Sequence, residues 1–197
     1  MKKLLTVLAA VVVSATMAHA QIGIFAGYTS SATNAQGAIE DVKTASLWHA
    51  GVAYKMDFGP LTVQPAVAYN MKGTNVWDKE GINSLEYRTG YVEASVGLQL
   101  GLDLMVARPF VVAEPFIGYQ VYGNETWENR KDVLNKLEYG FGVGVGADFL
   151  QNFQVKIQWF KNLGALATAD ATALDGVQET IKNGNYQGIK ISVGFFF

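Results

Sequence analysis

Apolar side chains recur at every second position along most of this sequence, and most fully in its last twelve residues, YQGIKISVGFFF. Successive residues of a strand point to opposite sides. Ile189, Ile191, Val193, Phe195 and Phe197 therefore share one face, while Tyr186, Gly188, Lys190, Ser192 and Gly194 share the other, with Phe196 closing that row. The same period predicts eight strands: Gln21 to Ser30, Ala45 to Met56, Leu61 to Met71, Leu85 to Leu100, Ala107 to Val121, Leu137 to Phe149, Phe153 to Leu163 and Tyr186 to Phe197. Each is long enough to cross a bilayer, since a tilted membrane strand needs roughly 9 to 11 residues.

The two faces of these runs differ in a way that fixes which side is inside. Val92, Ala94, Val96, Leu98 and Leu100 oppose Glu93, Ser95, Gly97 and Gln99; Leu137, Tyr139, Phe141, Val143, Val145, Ala147 and Phe149 oppose Gly140, Gly142, Gly144 and Gly146; Phe153, Val155, Ile157 and Trp159 oppose Gln154, Lys156 and Gln158. A soluble barrel would turn the bulky face inward. An eight-stranded barrel has room inside only for side chains, so the glycine and polar rows fit the crowded wall and the large apolar rows fit lipid. The predicted fold is all-β, an eight-stranded antiparallel up-and-down transmembrane β-barrel.

Connections alternate long and short. Short ones are expected at Asp57 to Pro60, Gly101 to Val106 and Leu150 to Asn152, and long ones at Ser31 to Thr44, Lys72 to Ser84, Tyr122 to Lys136 and Gly164 to Asn185. That order puts all short turns at one end, as in outer-membrane barrels with periplasmic turns and external loops, and predicts periplasmic termini. Pro65, Pro109 and Pro115 lack the ladder donor and are expected at local bulges. Tyr28, Trp48, Tyr69, Tyr119, Tyr139 and Trp159 gather toward the long-loop ends, and Phe149, Phe153, Phe195 and Phe197 toward the short-turn ends, as two interfacial belts would.

Composition sharpens this. Lys2-Lys3, the apolar run Leu4 to Val13 and Ala18-His19-Ala20 have the order of a secretory signal peptide, predicting a leader over residues 1–20 and a barrel domain over 21–197. Cysteine is absent, which excludes a disulfide scaffold and a lipid-modified cysteine. Fifteen basic residues less Lys2 and Lys3 leave 13 against 17 acidic ones, so nucleic acid is not an expected partner. Beyond the leader no apolar stretch approaches the ~20 residues of a membrane helix.

Taken together, IGIFAGYTSS, LEYRTGYVEASVGLQL, ARPFVVAEPFIGYQVYG, LEYGFGVGVGADFL, FQVKIQWFKNLG and ISVGFFF resemble the small bacterial outer-membrane β-barrel family called porin-family or PorT-like. The resemblance covers essentially the whole chain after the leader. It implies the bacterial outer membrane as location, outer-membrane lipid and lipopolysaccharide as surroundings, and the barrel-assembly machinery as partner during insertion. Ile191, Val193, Phe195 and Phe197 resemble the insertion signal of such barrels. No extracellular partner and no cofactor is implied.

Inward charges are the most suggestive chemistry. Glu93, Glu114, Lys156 and Lys190 fall at comparable depth on neighbouring strands, and an unpaired charge in a water-poor lumen is expensive, so a network of ion pairs is expected. His49, Lys55 and Asp148 extend it. A filled lumen points to a structural or surface-recognition protein; rearranging pairs would instead make a narrow porin-like channel for small solutes. An envelope lipid-modifying enzyme would need a base beside a nucleophile, and His49, the one histidine after the leader, has no serine of its own parity nearby, so catalysis is not expected. Metal binding is not expected from a chain with no cysteine and one such histidine. Trp77 and Trp127, each among charged residues in predicted long loops, are the candidates for external recognition.

Overall fold

The computed structural model describes residues 20–33, 42–77, 84–123, 136–150, 152–163 and 185–197. Among these the chain forms eight strands: β1 (Ala20–Thr33), β2 (Val42–Phe58), β3 (Leu61–Trp77), β4 (Ser84–Gly101), β5 (Ala107–Gly123), β6 (Leu137–Phe149), β7 (Phe153–Asn162) and β8 (Tyr186–Phe196). Each pairs antiparallel with its neighbours and β8 returns to β1, closing the barrel. No described helix is long and apolar enough to cross a membrane. The barrel is thus the all-β, eight-stranded fold that the alternation predicts.

Alternation is what the closed wall requires. Ile22, Ile24, Val52, Val67, Val92, Leu98, Val111, Ile117, Val145, Ile157 and Ile191 stand exposed on the outer surface, whereas Thr29, Gln64, Asn70, Glu93, Gln99, Glu114, Gln154, Gln158 and Ser192 are buried inside. A soluble protein hides its β-branched residues; here they form the outer skin, which suits hydrocarbon as the outer solvent.

Turn chemistry matches the short connections. Phe58 pairs with Leu61 around Gly59-Pro60, and Gly59 takes a φ of 67°, the left-handed region that only glycine enters freely. Phe149 pairs with Phe153, closing the β6–β7 turn. The first strand begins at Ala20, opposite Met56, and the Phe197 amide donates to the Ile22 carbonyl at 2.9 Å, so both described ends lie beside the short turns.

Two expectations are corrected. Registers run unchanged across the prolines: Ala53↔Ala66 and Met56↔Val63 keep one register around Pro65, and Pro109↔Ala147 and Pro115↔Phe141 belong to an unbroken β5–β6 ladder. A proline removes one donor without inserting a residue, so pairing lapses locally and resumes in step. Register shifts fall instead between Thr44 and His49 and between Gly90 and Tyr91. Secondly, β2, β3 and β4 run past the predicted ends, which moves Lys72 and Trp77 out of a loop and onto β3.

Candidate functional site in the barrel lumen

The lumen is organised in polar tiers, each built by several strands. Toward the long-connection end, Lys72 from β3 is completely buried; its Nζ lies 2.5 Å from Glu93 Oε1 and 2.8 Å from Glu138 Oε1. Both carboxylates reach it because β5 puts Gly118 between them, in register with Glu93 on one side and Glu138 on the other. A Cβ on Gly118 would come within 2.7 Å of Glu138 Oε1 and 3.1 Å of Glu93 Cγ. Asn162 donates to Glu138 Oε2 at 2.5 Å and Asn70 donates to Glu93 Oε1 at 3.0 Å. Lys190 stands 3.6 Å from Glu93 Oε2.

Aromatic rings pack around these ammonium groups. Lys72 Nζ lies 4.5 Å from the Phe116 ring centre and 5.1 Å from that of Phe160, while Lys190 Nζ lies 5.2 and 5.4 Å from the same two rings. Tyr91 and Tyr186 join Phe116 and Phe160 in one buried cluster. A desolvated cation over a ring face is worth up to about 2 kcal/mol, so the cluster and the carboxylates hold the lysines together.

The middle tier pairs Lys156 Nζ with Glu114 Oε2 at 2.5 Å, and Gln158 donates to the same oxygen at 3.1 Å. At the short-turn end Asp148 gathers Lys55 at 2.8 Å, Arg108 at 3.3 Å and Gln154 at 2.8 Å. Arg108 also donates to the Pro60 carbonyl at 3.0 Å, tying this tier to the β2–β3 turn.

His49 lies within a directed hydrogen-bond chain that runs from Ser192 to Glu93. Asn70 gives its amide hydrogen to Glu93, so its carbonyl receives the Thr29 hydroxyl at 3.0 Å. Having spent its hydrogen, the Thr29 oxygen accepts from His49 Nδ1 at 2.8 Å, and in the neutral ring Nε2 then accepts the Ser192 hydroxyl at 2.8 Å. A serine partner for His49 therefore does exist, from β8 and 143 positions away, brought beside it by closure of the barrel through β1. The third member is a hydroxyl and not a carboxylate, and Ser192 and His49 are both buried. Among the described residues no three His, Cys, Asp or Glu side chains gather as metal ligands would.

A model of the family described as outer membrane protein beta-barrel domain matches residues 14–165. The chain belongs to that family. No curated protein matches it. Among solved structures, this outer-membrane barrel is similar to Neisserial surface protein A at 14% identity and a TM-score of 0.47, over 89% of this chain and 97% of that one. It is similar to the attachment invasion locus protein Ail of Yersinia pestis, solved with the heparin analogue sucrose octasulfate, at 11% identity and a TM-score of 0.48, over 90% and 99% of the two chains. The outer membrane protein OprG from Pseudomonas aeruginosa gives 13% identity and a TM-score of 0.47 over 90% and 95%.

In this outer-membrane barrel the sequence-predicted charges Glu93, Glu114, Lys156 and Lys190 all face inward, but in two tiers: Glu114 with Lys156, and Glu93 with Lys190 and, more closely, Lys72. Lys55 and Asp148 form their own pair with Arg108. Lys72, Glu138, Arg108 and Asn162 were missed. Lys72 continues the inward parity of Asn70 by one step, which was the available signal. Trp77 ends β3 opposite Ser84, while Trp127 and residues 1–19, the greater part of the predicted leader, lie outside the described residues. Ile191, Val193, Phe195 and Phe197 stand on the outer face, with Phe195 5.0 Å from Phe153 and 6.0 Å from Phe197 between ring centres.

Proposed function

We propose that this outer-membrane barrel is a closed, non-enzymatic scaffold that presents its long connecting segments at the cell surface for recognition. The observation that carries the reading is the lumen itself: Lys72, Glu93, Glu138, Glu114, Lys156, Lys55 and Asp148 are buried and paired across the barrel at successive depths. Breaking such a pair leaves an uncompensated buried charge, so a lumen of this kind favours staying shut. With the lumen shut, recognition falls to the connecting segments 34–41, 78–83, 124–135 and 164–184, because binding residues concentrate on loops held by a rigid scaffold.

In this reading the termini and short turns face the periplasm, lipid and lipopolysaccharide surround the belt, and the barrel-assembly machinery reads Ile191, Val193, Phe195 and Phe197 during insertion. Trp127 remains a candidate anchor for a surface partner; Trp77, at a strand end, is a weaker one. The test is adhesion of cells displaying the barrel to immobilised glycans and host-matrix proteins, against cells displaying a variant whose four long segments are replaced by short Gly-Ser turns. Adhesion lost in an equally abundant, heat-modifiable variant supports the reading; unchanged adhesion, or none for either on any surface, opposes it.

A further inference from the structure

The β4–β5 connection is unlike the other short turns. Its sequence, Leu102-Asp103-Leu104-Met105-Val106, is apolar but for one residue, and Leu102, Leu104, Met105 and Val106 are all strongly exposed, Met105 completely. Exposed runs of this kind are errors in a water-facing surface unless something covers them. Leu150 joins them from the β6–β7 turn, 70% exposed, with its amide 3.5 Å from the Val106 carbonyl.

Three observations say what covers this patch. Leu102 and Leu104 extend the outward row of Val96, Leu98 and Leu100, and the hairpin pairing continues beneath them, Leu102 N to Pro109 O at 3.0 Å and Leu104 N to Ala107 O at 3.1 Å. The apolar surface is therefore continuous with the lipid-facing belt. Ala107 pairs with Phe149, which pairs with Phe153, so Met105 lies two residues past that aromatic ring; at 3.2–3.4 Å per residue this is roughly 6–7 Å along the strand and less along the bilayer normal for a strand tilted by about 35–45°, which keeps the turn within one headgroup layer of the ring. Finally, Asp103, the one charge in the run, is tied back to Arg108 Nε at 3.3 Å, and Arg108 is held in turn by Asp148.

We propose that this turn is a membrane foot: Leu102, Leu104, Met105 and Val106, with Leu150, insert at the headgroup–acyl boundary of the leaflet facing the short turns, extending the belt on the β4–β5 side. The occupant is lipid, and the proposal rests on membrane embedding of the barrel and not on the recognition role. Partial burial of an apolar face at that boundary is how interfacial segments anchor, and a belt longer on one side seats the barrel at a tilt.

The chain has no cysteine, so single-cysteine variants of the full barrel, refolded into phosphatidylethanolamine–phosphatidylglycerol vesicles, carry an environment-sensitive fluorophore without background. Met105→Cys is compared with Ile157→Cys in mid-belt and Lys136→Cys at the opposite end. The Met105 probe is expected to emit to the blue of the Lys136 probe, to be quenched most by lipid spin-labelled near its headgroup, and to resist iodide added to both sides. Adding Leu102→Ser and Leu104→Ser should return it to iodide while the barrel stays heat-modifiable. Iodide quenching equal to that at Lys136 in vesicles without any other protein would mean that lipid does not cover the patch, and would overturn the proposal. So would protection that vanishes as barrels are diluted in lipid, the mark of a second copy, or protection that survives the serine substitutions.

Discussion

Replacing Lys72 by methionine tests the upper tier most sharply. The side chain is fully buried, within 2.8 Å of two carboxylates and ringed by Tyr91, Phe116 and Phe160. Methionine keeps most of the volume and the contact with the rings but removes the charge between Glu93 and Glu138. Glu93 then retains Asn70 and the longer approach of Lys190, and Glu138 retains Asn162. Removing one partner of a buried pair costs about 3–5 kcal/mol, against about 0–1 kcal/mol for an exposed loop lysine. The two placements of Lys72 thus differ by about 2–5 kcal/mol, roughly one and a half to nearly four orders of magnitude in the unfolding constant. Urea unfolding of the refolded barrel in vesicles, followed by tryptophan fluorescence and by heat-modifiability, reads this directly. Adding Glu138→Gln should recover part of the loss, with a coupling of about 0.5–3 kcal/mol in the cycle. A loss under about 1 kcal/mol for Lys72→Met, or a strictly additive double variant, would refute the argument that Lys72 is the counter-charge of both carboxylates.

Other consequences are equally specific. Gly144→Ala should destabilise by about 1–3 kcal/mol or block refolding, because its Cβ would sit 2.1 Å from the Ile157 carbonyl, whereas Gly142→Ala, with its nearest neighbour at 3.5 Å, should change the urea midpoint little. His49→Ala should cost about 1–3 kcal/mol by stranding Thr29 and Ser192 and leave the lipid A profile of expressing cells unchanged; a changed profile would revive an envelope enzyme. Phe197→Ser should lower the amount of assembled barrel in the outer membrane while leaving the urea midpoint of refolded protein nearly unmoved, since Phe197 is exposed and its ring neighbour is Phe195; equal assembly would remove it from the insertion signal.

The lipid-facing half of the fold was legible because hydrocarbon enforces it: every outward residue between the aromatic belts is apolar or small, so parity survives in the sequence from Val92 to Leu100 and from Ile189 to Phe197. Past the belts that pressure ends. Lys72-Gly73-Thr74 reads as the start of a loop, yet the ladder continues from Lys72↔Thr89 to Trp77↔Ser84, since strands in water need only backbone pairing. The upper tier was half hidden for this reason. Glu138 looked like the start of a strand, and its meeting with Glu93 depends on Gly118 lying between them, a relation across three strands. The His49–Ser192 bond likewise joins residues that only barrel closure brings together. Residue type and parity indicate that a charge points inward; they do not say which of several inward charges it meets.

Ion conduction is where the closed scaffold and the narrow channel part most directly. In planar bilayers, the refolded wild-type barrel and a variant with Lys156→Met and Lys190→Met should both be silent, because Lys72, Glu93, Glu138, Lys55 and Asp148 still close the lumen above and below. Steady wild-type openings whose conductance shifts in the variant would contradict a closed scaffold and make Lys156 and Lys190 part of the constriction of a pore.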